Sequence, residues 1–513
     1  MNITPPKDSV SSFFAPRRVV LILWVVLLFA VGAAIRFYDL TDLPLDFNST
    51  RQLHSAVVAR GFYYLQFQPH LTGLSTWQVQ LGIKKMQQEA IIEPPFVEEL
   101  AALSYRVAGQ EILWLPRIFS ILFWLAGAFA IFLAGRELVG TDGAVIGLAY
   151  FLVLPFGAYA SRAFQPEPLM VALLCFSLWA MVRWNKTPTW KWAVIAGLLS
   201  GFTILSKVLV GLILGAAWLG LILARQGLRS ALRDRKVWLL VALTVIPYGC
   251  YHVYGMYING FLRGQYDARF WPSMWIDPVF YLRWKSMIAS TIGFEWFLVG
   301  LLGCFTLRDR AWRGAFLGAW IGYFIYGLVV PYHISTHDYY QMPIIPLVAL
   351  GLAAAAGLLF QNQRGPKVVL IGVVYALVLF TVAANAWDVR VALKADDFRP
   401  EVVYWQKLGA KIGHDYKVIG LTQDYGYRLG YWGLVDCTPW MSSADFNAKA
   451  LSGQSYDEQA LFTDAVKDFD LFVVTMPDEL NRQPQLKDLL NKGYAVKAQG
   501  SDYTIYDLHH PLQ

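Results

Sequence analysis

Long apolar runs separated by short polar connections dominate this chain from residue 19 to residue 386. Measured against the roughly 20 residues that carry a helix across a bilayer, they fall at 19–35, 113–133, 143–158, 169–182, 192–205, 211–223, 237–254, 292–306, 314–330, 342–360 and 368–386. The pattern predicts about eleven transmembrane helices, several shorter than a full crossing. The pair around Lys207 also reads as one broken helix. Between the first two runs, residues 36–112 form a long connection with helical signals of its own. Phe96, Leu100, Leu103 and Val107 recur at helical spacing opposite Glu98, Glu99 and Arg106, and Glu93-Pro94-Pro95 supplies a stop and a helix start. Residues 51–64 are a weaker helical candidate. Such helices either lie along the membrane surface or pack on the outer ends of the bundle.

The pattern changes near residue 390. Short apolar bursts at 417–421, 470–475 and 503–508 predict strands, and stretches near 401–412 and 460–467 predict intervening helices. Residues 391–513 therefore read as a small α/β domain, large enough for its own core. It contains no GxGxxG or phosphate-binding loop, which favours a docking or substrate-guiding role. Residues 1–390 form the transmembrane part.

Composition supports the class. With 56% hydrophobic residues, 15% charged residues and a mean hydropathy of +0.42, the chain has more apolar surface than a water-soluble monomer tolerates. It is expected to be an α-helical polytopic membrane protein. The excess of 43 Lys and Arg over 36 Asp and Glu is explained by cytoplasmic loops, and no interleaved basic and aromatic patch points to nucleic acid. Basic clusters at Arg17/Arg18, Arg136, Arg183/Lys186/Lys191, 225–236, 308–313 and Arg364/Lys367 occupy alternate connections. The positive-inside rule makes these cytoplasmic. The N-terminus is then inside, and segments 36–112, 159–168, 255–291, 331–341 and 387–513 are outside. The first run lacks a small-residue cleavage site and ends at Arg36, as an uncleaved first span would. Cys175, Cys250 and Cys304 lie in apolar runs and Cys437 in a polar one, so the cysteines read as packing residues. Short loops and the lack of a retention signal point to a prokaryotic plasma membrane.

Candidate chemistry collects in the external segments. Asp46 follows a Pro-Leu turn soon after the first span, near Arg51 and His54, where a carboxylate can serve as general base on a hydroxyl or amine. The bland alternative is a helix cap or a partner for Arg51. Glu167, between Pro166 and Pro168 at the start of a span, either complements the helix dipole or joins Asp46 as an acid that orients an acceptor or binds a metal. Arg162 precedes it by about one helical turn. Lys207 interrupts an apolar run, and an unpaired ammonium at a helix centre costs at least about 2.5 kcal/mol. It either snorkels to the external surface or binds a lipid phosphate. Arg263, Arg269 and Arg283 add guanidinium donors suited to phosphate. His337-Asp338-Tyr339-Tyr340, at the mouth of a later span, suit a sugar or a phosphate, although an interfacial aromatic belt accounts for the tyrosines alone. HExxH is absent.

The order of these features resembles the membrane glycosyltransferases of the C superfold. The relevant residues are Arg36-Phe37 at the end of the first span, Glu93-Pro94-Pro95, Leu115-Pro116-Arg117, Ser161-Arg162 with Glu167, Lys207, and His337-Asp338-Tyr339-Tyr340-x-x-Pro. Within that superfold the chain, over roughly residues 17–390, looks like the branch of protein O-mannosyltransferases and lipid A aminoarabinose transferases. The resemblance implies a polyprenyl-phosphate sugar donor, an acid in the first external loop acting near the acceptor, basic residues on the phosphate, and transfer with inversion. It carries Asp46 and Glu167 over as the catalytic acids. Arg51, Arg162, Lys207, Arg269, His337, Asp338 and Tyr339 carry over as donor-phosphate or substrate-binding residues. The acceptor is a protein, a lipid or a glycan. A metal-dependent variant would place a divalent cation on Asp46 and Glu167. The chain departs from the pattern at one point: the family commonly has an Asp-Glu pair after an aromatic, whereas Phe47 is followed by Asn48-Ser49. That departure leaves open a catalytically inactive relative that binds a glycolipid. A transporter or lipid flippase is the rival from another class, and it predicts internal repeats and ionisable groups near the midplane.

Overall fold

In a bilayer the backbone finds no water, so an apolar run must satisfy its own N–H and C=O groups as a helix. The computed structural model of the protein describes residues 13–14, 17–67, 71, 73–264, 270–361, 367–451, 453 and 457–511. Among the described residues, seven helices are long and apolar enough to cross a membrane: Arg18–Phe37, Leu115–Val139, Glu167–Lys186, Val210–Ala231, Arg235–Ile258, Asp338–Phe360 and Ile371–Leu393. The pair Pro278–Thr291 and Phe294–Thr306, bent by 90°, makes an eighth if it counts as one span. Thr141–Val153 and Trp190–Ser206 are shorter apolar helices, and Arg310–Val329 is a helix of 20 residues.

The chain forms two compact units. The first comprises Met1–Leu40, Ala90–Pro95 and Arg117–Ala395, and the second Thr41–Glu89, Phe96–Pro116 and Asp396–Gln513. In the first unit, three interruptions shape the apolar runs; the first and third depart from the simple count, and the second falls between two runs counted separately. The run at 143–158 splits into Thr141–Val153 and Pro155–Ala160, because Pro155 has no N–H for the helical ladder and forces Leu154 out of helical geometry. Trp190–Ser206 stops at Lys207, which is extended (φ −162°, ψ 100°), and Val210–Ala231 begins three residues later. Residues 278–291, expected as loop, form a helix that meets Phe294–Gly303 through Gly293 at φ +81°. That left-handed conformation is open to glycine at no steric cost.

Small residues set a close helix crossing in this unit. Gly220 on Val210–Ala231 faces Gly314 on Arg310–Val329, and Gly318 and Gly322 continue the contact against the carbonyls of Ala216 and Leu212. Without side chains the two backbones touch, the usual device where lipid removes the hydrophobic drive between helices.

The second unit contains three helices from the region 41–116: Ser49–Gln66, Thr76–Gln88 and Phe96–Ala108. The first and third match the helical signals at 51–64 and 96–107, the third beginning directly after Pro95. Thr76–Gln88 has too few apolar positions to show a stripe, but Ser75 and Gln78 close a capping box at its start. The C-terminal segment carries a five-stranded sheet in the order β2-β1-β3-β5-β4, built from β1 (Val418–Leu421), β2 (Cys437–Pro439), β3 (Leu471–Val474), β4 (Tyr494–Gln499) and β5 (Thr504–Pro511). β1 runs parallel to β2 and β3, while β5 is antiparallel to β3 and β4. β1 and β3 are buried at every position, which is why they read as unbroken apolar bursts. Around them Trp440, Phe446, Phe462, Phe472, Leu486 and Leu490 form the core. β2 and β4 escaped notice because the first is three residues long and the second alternates polar and apolar positions weakly.

The glycine contact predicts a selective loss of stability. Gly318→Leu should overpack the crossing and cost about 1–3 kcal/mol, whereas Gly215→Ala, whose added Cβ meets nothing within 4 Å, should be nearly neutral. Thermal midpoints of the two variants in lipid nanodiscs check this.

Candidate functional site

In the first unit the chain must place several charged groups among apolar helices, and each has found oxygen or nitrogen partners. Arg36 is fully buried at the end of Arg18–Phe37. Its Nε donates to Ser161 Oγ at 2.6 Å, and its terminal nitrogens donate to the carbonyls of Gly32 (2.7 Å), Leu152 (2.7 Å) and Gly157 (3.4 Å). Arg162 donates to the carbonyls of Tyr38 (2.6 Å) and Asp39 (2.9 Å), and Arg117 to those of Leu40 and Arg162 (both 3.3 Å). Together these three guanidinium groups fix the point where the first helix ends.

Lys207 is the centre of the second cluster. It is 8% exposed, and its Nζ lies 2.9 Å from Glu167 Oε1 and 3.0 Å from Glu93 Oε1. Local structure dictates each position. Lys207 is the extended residue between two helices. Glu167 opens its helix between two prolines, where proline costs no hydrogen bond and a carboxylate complements the helix N-terminus. Glu93 precedes Pro94 and Pro95, which hold the chain extended at that point. Glu167 is 1% exposed, so both the dipole and the lysine compensate its charge. The ammonium therefore neither snorkels to the surface nor waits alone for an anion, since two carboxylates share it. When all three groups are ionised they sum to one negative charge.

Aromatic groups close the cluster. The Tyr339 ring centroid lies 5.9 Å from Lys207 Nζ, within reach of a cation–π attraction. Tyr340 stacks on Tyr326 at 6.0 Å. Both Tyr339 and Tyr340 are buried, so they pack inside the unit rather than as an exposed belt. A cavity of about 200 Å³ is lined by Glu93, Lys207, Phe270, Val330 and Tyr340, among others. His337 Nδ1 lies 2.8 Å from Thr336 Oγ1, and its ring is 5.3 Å from that of His333. Asp338 begins the short 3-10 helix Asp338–Ile344. Arg269 lies outside the described residues.

Asp46 and Arg51 belong to the second unit. Asp46 is half-buried and accepts a long hydrogen bond from Gln52 Nε2 (3.4 Å), whose main interaction is with the carbonyl of Phe47 (2.7 Å). Asn48 adopts φ +43° and starts the helix Ser49–Gln66. The hydroxyls of Ser49 and Thr50 donate to Asp424 Oδ1 at 2.6 and 2.9 Å, and Arg428 Nε donates to Asp424 Oδ2 at 2.6 Å. The segment with Asn48-Ser49 in place of an acidic pair thus faces a carboxylate from the C-terminal segment. His54 Nε2 lies 3.5 Å from Glu89, which also accepts from Tyr427 Oη at 2.6 Å. Burial raises the Glu89 carboxyl above its usual range despite the Tyr427 hydrogen bond and the nearby Lys85. Asp42 accepts from the backbone N–H of Leu43 (2.8 Å) and of Phe398 (3.2 Å).

Of the residues expected from sequence, the structure brings together Lys207, Glu167 and Tyr339. Glu93 and Asp424 were missed as side chains. Glu93 had been read only as helix punctuation, and Asp424 is some 375 residues from its hydroxyl partners. Among the described residues, no group of three or more His, Cys, Asp or Glu side chains could hold a metal ion.

Residues 92–251 match the family model described as dolichyl-phosphate-mannose-protein mannosyltransferase. The apo structure of ArnT from Cupriavidus metallidurans superposes with a TM-score of 0.57 at 17% identity, covering 95% of this chain and 98% of that one. The chain resembles the protein mannosyltransferase and ArnT branch of the C-superfold membrane glycosyltransferases. The same ArnT bound to undecaprenyl phosphate gives a TM-score of 0.56 at 16% identity, covering 94% and 97% of the two chains. The archaeal oligosaccharyltransferase AglB from Archaeoglobus fulgidus, in complex with an inhibitory peptide and a dolichol-phosphate, gives 0.56 at 12% identity, covering 96% of this chain and 74% of that one. No curated protein matches in sequence. With its apolar helices and this fold, the chain is a polytopic membrane protein.

The shared ammonium predicts coupled stability. Lys207→Met should leave the buried Glu167 carboxylate and the partly exposed Glu93 carboxylate without their shared cation and cost about 3–5 kcal/mol, the penalty for removing one partner of a buried ion pair. Adding Glu167→Gln to Lys207→Met should recover part of that loss, so the two changes should be non-additive in a double-mutant cycle read by thermal unfolding.

Proposed function

We propose that this protein is a glycosyltransferase that moves a sugar from a polyprenyl-phosphate donor to an acceptor at the external face of the membrane, with inversion. The observation that carries the reading is the Lys207–Glu167–Glu93 cluster, set in a fold shared with an ArnT bound to undecaprenyl phosphate. Ionisable groups are expensive among apolar helices, and their concentration at helix ends argues for chemistry rather than packing. An eleven-span, N-in and C-out arrangement would put Glu93, Glu167 and His337 outside, together with residues 391–513 as an external domain. The basic connections support that orientation.

In the proposed mechanism the acceptor hydroxyl attacks the anomeric carbon, the bond from that carbon to the phosphate oxygen breaks, and the polyprenyl phosphate leaves as an anion. Asp46 takes the acceptor proton as general base. Neutralising the leaving phosphate is the main electrostatic demand, and Arg51, Arg162, Lys207 and Arg269 are the proposed cations. Lys207 starts on two carboxylates, so its charge becomes available to phosphate as their hold weakens. Glu167, His337, Asp338 and Tyr339 position the acceptor or the sugar. The acceptor is a protein, a lipid or a glycan, and a plasma-membrane location follows from the same reading.

The test combines mass spectrometry of lipids that copurify with the protein and sugar release from a labelled polyprenyl-phosphate sugar. Wild type should release sugar, and Asp46→Asn and Glu167→Gln should each lower the rate by about 10²–10⁴-fold, the usual contribution of a positioned acid or base. Bound donor lipid with no turnover in any version would instead identify a lipid-binding relative, the reading favoured by Asn48-Ser49. Absence of any polyprenyl lipid would refute both.

A further inference from the structure

The second unit contains a cavity of about 350 Å³, at the lower end of the roughly 300–1,000 Å³ usual for small-ligand clefts. Its walls come from Ser49–Gln66, Thr76–Gln88 and the segment 425–439. Three charged side chains line it, and each is already matched within the unit. Arg60 Nε donates to Glu111 at 2.8 Å, and its Nη1 donates to the Tyr431 carbonyl at 2.7 Å. Lys85 Nζ lies 2.5 Å from Asp436 Oδ1, and Glu89 is held by Tyr427 and His54. Burial works against the Asp436 carboxylate, but Lys84 and Lys85 more than offset it and hold it below its usual range. The walls therefore demand neither an anion nor a cation.

What remains is an amphipathic lining. Leu81, Leu434 and Pro439 give apolar surface, Tyr425 and Tyr427 give aromatic rings, and Gln88 and Thr438 give amide and hydroxyl groups. Cys437 is no nucleophile, because burial pushes its thiol up to about 12. The backbone around the cavity is strained. Asp424 (φ +50°), Tyr425 (φ +54°) and Gly426 (φ +83°) are left-handed in succession, as is Leu434 (φ +54°). Such conformations cost about 1–3 kcal/mol each for residues other than glycine and gather at ligand clamps. Here the bonds from Ser49, Thr50 and Arg428 to Asp424 hold the strained run in place.

We infer that this cavity is a carbohydrate-binding site for a neutral saccharide of one to a few units. A sugar ring offers an apolar face to the tyrosines and a rim of hydroxyls to the amides, and carries no charge that would compete with the internal ion pairs. Its assignment to the glycan part of an acceptor rests on the transferase reading above, whereas the cavity and its chemistry do not.

Saturation-transfer NMR on the full chain in lipid nanodiscs tests it, using chitobiose, cellobiose and mannobiose as probes and inorganic phosphate as the anionic control. The blocking variant is Gly430→Trp. Gly430 lines the cavity, and an added Cβ there would meet only the Val435 carbonyl oxygen, at 3.6 Å. At least one disaccharide should bind wild type and bind at least about tenfold more weakly to Gly430→Trp and to Gln88→Ala, with phosphate failing to compete. Binding that is unchanged in a folded Gly430→Trp, competition by phosphate, or no binding of any disaccharide would overturn the proposal. Donor turnover is not involved in this readout, so saccharide binding with no sugar release would count against the transferase reading alone.

Discussion

Burying charge in an apolar helical scaffold is the constraint on which the first unit depends. An isolated ion there would carry a desolvation cost of several kcal/mol, so each cation must arrive with its counterpart. Arg36, Arg117 and Arg162 meet this need with backbone carbonyls in and just beyond the end of the first helix. Guanidinium suits the task because it spreads donors in a planar fork, and one Arg36 side chain reaches three carbonyls and a hydroxyl. Lysine is a point charge and takes carboxylates instead. Arg36 and Arg117 are held by oxygens where the first helix ends, whereas the charge of Lys207 is balanced by two carboxylates.

That balance also explains the interruption of the helices at this point. A continuous helix through Lys207 would bury the ammonium along its side with the backbone already satisfied. Ending Trp190–Ser206 one residue earlier leaves Lys207 extended, and the ammonium then meets Glu167 at the start of another helix. Glu93 reaches the same point from a segment held extended by Pro94 and Pro95. Three unrelated stretches of chain converge because each is broken there by a proline or by the lysine itself.

The legibility of these features follows from their range in sequence. Spanning helices are visible because hydrophobicity over about 20 residues is a local property. Prolines 166 and 168 announce the start of a helix for the same reason, whereas the run 143–158 hid the break at Pro155. Strands β1 and β3 were visible as buried bursts, whereas β2 and β4 carry too little periodicity. The 278–291 helix was hidden because charged Arg283 and Lys285 made it look like a loop. Lys207 and Glu167 were conspicuous as charges in apolar surroundings. Their pairing was not, since nothing within 40 residues of sequence relates them. Asp424 is the extreme case, an ordinary acid in a polar stretch whose significance comes only from Ser49 and Thr50 donating to it.

Asp424 changes how the departure at Asn48-Ser49 should be weighed. Judged by residue identity, replacing an acidic pair with an amide and a hydroxyl removes a negative charge from that turn. Judged by structure, Ser49 and Thr50 recruit a carboxylate from the C-terminal segment, and Arg428 bonds its other oxygen. The turn therefore keeps an acid beside it, one that accepts from two hydroxyls and from the Arg428 guanidinium, with which it forms an ion pair. Asp46, two residues before Asn48, is half-buried and accepts from Gln52 Nε2 at 3.4 Å. Asp424 therefore shapes the turn, holding Ser49 and Thr50 at the start of their helix.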